Sequence, residues 1–378
     1  MHLNSHSIKE QSVIGVYRAI EQSDGITRNG ISADTGRSVV TVCKIVDILL
    51  QNQLVIEEKD VSSTLGRKAF QLRINHLSKT VLILDLTKKR FTARLLYLDH
   101  MDAVPRFKYN YDKEASFQSN LEAFLEESKD RLFGQNELFS TCIGVGVIVP
   151  GPYLKKRDQV INKRLRELDD VRLKEVISKV FPDQRLLIEE DVKFAGLYSV
   201  GVSEKKNKQT VFYAYIDEGV GGSVIINGRI SFGAHSFAGD FGQLMFSDGR
   251  TVEEEICIPS FFESIGISNP KDTNSEILFE GIDYSDLRIR QRIRELENKV
   301  ALAFYNVCWL LDPNYIIIES KYCHYFPDFT NHVSERLKEL LGNISENMMP
   351  KLIGQNGSVQ NAYKGAAGLI LNEYLTNL

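Results

Sequence analysis

Thirty residues, 26–55 (ITRNGISADTGRSVVTVCKIVDILLQNQLV), constrain the fold of this chain more than any other stretch. Gly36 is the residue there that turns cheaply at positive φ, and it divides the segment in two. Residues 27–35 before it predict a short helix. After it, Val39, Val42, Ile45, Val46 and Leu49 fall at i, i+3, i+6, i+7 and i+10, which predicts one apolar stripe of a second helix. Ser38, Thr41, Lys44 and Asp47 take the other face, and Arg37 sits just ahead of the helix start. Any αα-hairpin with a solvated face would read this way. So would a helix-turn-helix, whose second helix enters the DNA major groove and presents its N-terminal residues to base edges.

The flanking sequence favours the second description. Upstream, Val13, Ile14, Tyr17 and Ile20 at helical spacing supply a third helix over 8–22 to cover the pair. Downstream, residues 54–57 and 69–74 read as two strands around a polar loop that ends in Gly66, Arg67 and Lys68. Three helices and a basic hairpin make a winged helix-turn-helix. Its candidate DNA contacts are Ser38, Thr41 and Lys44 for bases, and Arg37, Arg67 and Lys68 for phosphates. Charge limits the affinity: residues 1–76 hold nine Lys or Arg and eight Asp or Glu, a net of 9 − 8 = +1. Non-specific affinity comes mainly from neutralised phosphates. One such module should bind weakly, and a homodimer on paired half-sites is expected.

At 378 residues the chain expects two or three domains, each large enough for its own core. The formal net charge of −4 gives no global attraction to nucleic acid or an anionic membrane. No apolar run reaches 18 residues and the start, MHLNSHSIKE, carries no signal-peptide pattern, so a cytoplasmic location is expected. Five cysteines (Cys43, Cys142, Cys257, Cys308, Cys323) are scattered without a CxxC pair, which argues for reduced thiols.

Beyond a short polar linker at 75–80 the pattern turns α/β. VLILDL (81–86) and FTARLLYLD (91–99) predict a buried strand and its hairpin partner, 117–131 a helix, and CIGVGVIVPGP (142–152) a second core strand. Residues 165–181 predict a helix, 185–191 a strand, 192–202 a helix, then strands at 210–216, 223–230 and 315–320, with helices filling most of the remainder. Strand, hairpin, helix and strand recur in both halves, so two similar α/β lobes facing a cleft are expected. The expected division is a winged helix-turn-helix at 1–76, a smaller lobe at 77–190 plus 363–378, and a larger, dimerising lobe at 191–362.

These segments resemble the ROK family of repressors, open reading frames and sugar kinases, whose fold is actin-like (ribonuclease H-like) and two-lobed. Gly144–Pro152 (GVGVIVPGP) is similar to the family's GIGIPGP strand, and Ile188–Val192 (IEEDV) to its ENDAN segment, whose Asp is the kinase base. Gly219–Gly228 (GVGGSVIING) resembles its second phosphate loop and hairpin, and Ala238–Gln243 (AGDFGQ) its AGEFGH sugar motif. LDP at 311–313 and GAAG at 365–368 match its C-terminal marks. The six motifs stand in the family's order, the resemblance covers nearly the whole chain, and the N-terminal winged helix is similar to that of the repressor branch.

Against that pattern the nucleotide motifs are degraded. Where the resemblance implies DIGGTK, this chain has DLTKKR (85–90) with no glycine for backbone N–H groups to approach a phosphate. The second loop's GTG becomes Asp217-Glu218-Gly219, and a carboxylate about 4 Å from a phosphate oxygen costs roughly 1 to 4 kcal/mol, from water-like to surface dielectric. Glu319 and Ser320 replace two glycines that would lie against adenosine. ATP is therefore not expected as a cofactor. Nor is zinc: Cys257 alone represents the family's CxCGxxGC, and one thiolate makes no four-coordinate site. A residual sugar pocket of Asp191, Asp240 and Gln243 remains, although Asp191 reads equally as a cap of the helix that follows it. Gln243 stands where the family has histidine, and Pro259 where it has a sugar-contacting Glu.

The expected function is a DNA-binding transcriptional regulator, repressor-type, with an inactive body open to a sugar effector and no catalytic or metal residues. The alternative is an anti-repressor that binds a second regulator protein. An active sugar kinase is the third reading. The EEE run at 253–255 is expected to be a solvated loop.

Overall fold

The computed structural model describes residues 5–59, 70–134, 138–162, 165–201, 209–268, 270, 274–342, 346–356 and 360–378. Helices α1 (Ser5–Glu21), α2 (Arg28–Thr35) and α3 (Val39–Gln51) are followed by antiparallel strands β1 (Val55–Lys59) and β2 (Phe70–Ile74). Thr27 caps α2 by accepting from the Gly30 amide at 3.1 Å, and Gly36 ends that helix at φ 65. Ser38 starts α3 by accepting from the Thr41 amide at 3.2 Å. Val13, Tyr17, Ile20, Ile31, Val42, Ile45, Val46 and Leu49 close the core of the three helices. Each buried aliphatic there contributes about 1.5–3 kcal/mol. Val39 departs from the expected stripe: as the first residue of α3 it lies a turn ahead of the buried positions and is 44% exposed. The loop between β1 and β2, with Arg67 and Lys68, lies outside the described residues.

This core does not end at the module. Leu98 and, from the C-terminal helix Gln360–Thr376, Leu371 and Leu375 belong to the same buried cluster. Arg18 of α1 donates to the Asn372 side chain at 3.2 Å. The chain forms two compact units: Met1–Pro150, Lys155–Ile188 and Ala366–Leu378 in one, Gly151–Leu154 and Glu189–Gly365 in the other.

The first unit holds a sheet in the order β5-β4-β3-β6-β7. Its strands are β3 (Thr80–Asp85), β4 (Thr92–Tyr97), β5 (Phe107–Lys108), β6 (Cys142–Val149) and β7 (Leu186–Glu190), with helices α4 (Phe117–Leu132) and α5 (Leu173–Val180). β3 pairs antiparallel with β4 and parallel with β6. Helix α6 (Asp191–Gly201) opens the second unit, whose sheet runs β10-β9-β8-β11-β12: β8 (Thr210–Ile216), β9 (Val220–Ile226), β10 (Arg229–Ile230), β11 (Tyr315–Glu319) and β12 (Lys351–Gln355). Here too the first strand sits centrally, antiparallel to its hairpin partner and parallel to the strand on its other side. The repeat expected from the sequence is present.

Two expected elements differ. Residues 165–181 do not form one helix: a 3-10 turn at Arg166–Leu168 precedes α5, which begins where the Asp158 carboxylate accepts from the Lys174 and Glu175 amides at 2.9 and 3.2 Å. The expected strand 223–230 is broken at Asn227 and Gly228, φ 53 and 73, which reverse the chain in the manner of a type I′ turn. No helix among the described residues is long and apolar enough to cross a membrane.

Candidate functional site

Capping at Ser38 leaves the first turn of α3 in solvent. Ser38, Val39, Val40, Thr41, Lys44 and Asp47 are all exposed, Val40 at 66%. The Ser38 hydroxyl is shared between the Thr41 amide and the Thr41 hydroxyl, 2.9 Å away. Lys44 lies one turn further on the same face. Arg37 does not extend outward: it donates to the Thr35 carbonyl at 3.3 Å, and a Cβ on Gly15 of α1 would lie 3.4 Å from its guanidinium nitrogens. Sequence reasoning assigned Val39 to the core and passed over Val40; the cap at Ser38, which fixes where the helix starts, was the available signal.

Other cations of the module are neutralised locally. Arg28 pairs with Glu57 and with Asp47, the latter at 3.3 Å. Arg73 pairs with Asp24 at 2.5 Å and Glu58 at 3.3 Å, and Arg18 with Glu21 at 2.5 Å.

In the second unit the motifs of the body converge through close backbone contacts. A Cβ on Gly242 would lie 2.1 Å from the Val220 carbonyl, and one on Gly239 2.8 Å from that of Gly222, so only glycine lets the 238–243 segment approach the 219–222 loop. Asp191 opens α6 and accepts from the Val192 amide at 2.7 Å. Asp240 immediately precedes the 3-10 turn Phe241–Gln243, half-buried, and Gln243 is exposed. Beside them lies a group the sequence reading missed. Lys193, 1% exposed, reaches Glu190 at 3.0 Å and Glu189 at 3.5 Å, and donates to the Ser236 carbonyl at 2.6 Å. Burial pushes the Glu190 carboxyl up to about 8; Lys193 opposes the rise, and Asp191 and Asp240 add to it. The signal was a Glu-Glu-Asp-x-Lys run, with i,i+3 and i,i+4 pairs, inside an apolar segment.

The second phosphate-loop segment is engaged by the chain itself. The Val220 amide donates to the Glu253 carboxylate at 3.0 Å. Asp217 is buried and receives the Lys321 ammonium at 3.2 and 3.3 Å, and the same ammonium meets the Ser275 hydroxyl at 3.0 Å. Glu319 is fully buried and accepts from the Asn361 amide at 2.7 Å. In the first unit, the Asp85 carboxylate folds the DLTKKR loop on itself by accepting from the Thr87 amide and hydroxyl at 3.0 and 2.6 Å.

The EEE run is not a solvated loop. It forms the helix Val252–Ile256 with a capping box between Thr251 and Glu254, and Glu255 is buried against Arg250 and Lys299. Cys257 is buried, its Sγ 3.1 Å from the Ser260 hydroxyl. Among the described residues no cluster of three His, Cys, Asp or Glu could hold a metal ion.

Fold and motifs together define a ROK body carrying an N-terminal helix-turn-helix. The chain belongs to the ROK family, whose model matches residues 112–373, more than two thirds of it. A xylose repressor of Bacillus spizizenii is 24% identical over 95% of this chain and 94% of its own length. Among solved structures, a ROK family transcriptional regulator, a homolog of the E. coli MLC protein, superposes with a TM-score of 0.73 at 18% identity over 99% of this chain and 98% of that one. A ROK hexokinase from Thermus thermophilus covers 76% of this chain and 96% of its own, at a TM-score of 0.60 and 16% identity.

Proposed function

We propose that this protein is a DNA-binding transcriptional regulator of repressor type, built on a ROK body that no longer phosphorylates sugar. The observation that carries the reading is the exposed first turn of α3, where Ser38, Val39, Val40, Thr41 and Lys44 stand clear of a fully packed three-helix core. A relative matched over nearly its whole length and named a repressor supports it. With so few uncompensated cations, specific binding requires two copies on a palindromic operator. A homodimer is therefore part of the proposal, as are phosphate contacts from Arg67 and Lys68.

The body fits neither ATP nor zinc. A phosphate would have to displace the Glu253 carboxylate from the Val220 amide and sit beside Asp217, an acid already compensated by Lys321. At the zinc segment one thiol, hydrogen-bonded to the Ser260 hydroxyl, stands in place of a four-ligand set. The role left to Asp191, Asp240 and Gln243 is to accept hydroxyls of a sugar effector, whose binding shifts the protein between states of different operator affinity.

Electrophoretic shift with promoter fragments from the protein's own gene neighbourhood tests the reading. A sequence-dependent, salt-sensitive complex at micromolar protein is expected. Replacing Thr41 and Lys44 with Ala should weaken it by about 1–3 kcal/mol per lost base contact and leave dimerisation intact. Regulation in cells that survives the double substitution would sink the proposal.

A second reading is favoured by one observation, the internal pairing of Arg18, Arg28 and Arg73. A module relieved of DNA binding tolerates such neutralisation, and the protein would then act as an anti-repressor by binding another regulator. Pull-down recovering a second regulator, with no operator complex formed, distinguishes it.

A further inference from the structure

An unassigned cavity of about 360 Å³ lies in the first unit, at the outer edge of its sheet. It is lined by Arg106, Phe107, Lys108, Tyr109, Asn110, Glu127 and Arg131, none of which belongs to the α3 surface or to the motifs of the second unit. We propose that this cavity binds a small phosphorylated metabolite, with Arg106, Lys108 and Arg131 holding the phosphate.

The placement of the three cations follows from the elements. β5 is an edge strand on which Phe107 is buried and Lys108 exposed, and the exposed Arg106 immediately precedes it at the cavity rim. Arg131 arrives from the last turn of α4 and lies over the Phe107 ring at 4.8 Å, which fixes its guanidinium at the cavity. Glu127, one turn earlier, holds it at 3.3 Å. The lining therefore carries three positive groups and one carboxylate.

No carboxylate of the described residues pairs with Arg106 or Lys108. Arg106 first, and Arg90 second, hold the Lys108 ammonium below the usual lysine range. Three cations facing a single carboxylate, Glu127, leave an excess of positive charge that an entering anion would relieve. Phosphate suits the donors better than a carboxylate does. Its two charges and three oxygens can meet two guanidinium forks and an ammonium at once.

The remaining lining points to a small molecule rather than a nucleic acid strand. The cavity lies at the lower end of the range for ligand sites. Asn110 and Tyr109 offer donors and Glu127 an acceptor, groups that suit the hydroxyls of the organic part. The inference does not rest on the regulator reading, since it concerns a different set of residues.

Isothermal titration calorimetry on the full chain tests it, with glycerol 3-phosphate and inorganic pyrophosphate as probes and glycerol as the uncharged control. Binding of at least one phosphate probe with a dissociation constant below about 1 mM, and none of glycerol, is expected. The double substitution Arg106→Gln and Lys108→Gln is exposed and should leave the melting temperature unchanged while weakening that binding about tenfold or more. Thr41→Ala with Lys44→Ala should not affect it. Silence with both phosphate probes overturns the proposal, as does undiminished affinity in the Arg106/Lys108 variant. So does a variant that loses affinity only for random duplex DNA, which would make the cluster a nucleic-acid patch.

Discussion

At the scale of single residues, the exposed valines of α3 are a chemical statement about what the helix meets. A β-branched residue 66% exposed at the N-terminal end of a helix gains nothing from water, whereas in the proposed operator complex the methyl of thymine would offer it an apolar partner. Replacing thymine with uracil at individual operator positions should therefore cost about 1 kcal/mol at one or two of them. Val39→Ala with Val40→Ala should abolish that difference while leaving the dependence on salt unchanged. Competition binding with substituted duplexes measures both. Glu190 yields a prediction of a different kind. Its carboxyl is raised in the folded protein to about 8, so the neutral form is favoured by folding. The stability it contributes is complete below the ordinary glutamate range, near 4.5, and is lost as pH rises through about 8. Thermal melts of Glu190→Gln should thus fall less steeply than wild type between about pH 5 and 8, and a parallel pair of curves there would refute the assignment.

At the scale of elements, the helix-turn-helix was legible because each part rests on local chemistry. A glycine must supply the left-handed turn at Gly36, a hydroxyl must start each helix, and apolar residues must recur at helical spacing. The module's attachment was not legible. Leu371 and Leu375 enter its core from the far end of the sequence, and no periodicity within residues 1–76 announces a partner some three hundred residues away. Leu375→Ala should cost about 2–5 kcal/mol, and the module should lose stability together with the rest of its unit rather than melt alone. Hydrogen exchange on α1 and α3 would report this, and unchanged protection there would count against a shared core. The same distinction explains the acidic run at 253–255. Its charge suggested solvent, but Arg250 and Lys299, brought together by the fold, pair with Glu255 and offset the desolvation cost of burying it.

At the scale of the whole molecule, the proposed loss of nucleotide binding turns on two contacts in the second unit. Lys321 pairs with Asp217, and the Glu253 carboxylate accepts from the Val220 amide; under the proposed reading these contacts stand in place of a triphosphate. Calorimetry with Mg·ATP should give no heat of binding, and incubation with glucose or N-acetylglucosamine should give no phosphorylation above background. Measurable turnover would overturn the regulator-only reading of the body. The sequence by itself determined the helix-turn-helix, the doubled strand-and-hairpin pattern and the order of six motifs, because these depend on residue type and short-range spacing. Only the tertiary structure decided that Val39 stands outside the core, that Lys193 is buried among carboxylates, and that Arg106, Lys108 and Arg131 line one cavity. Burial and charge pairing are settled by which distant segments come together, and spacing along a chain carries no record of that.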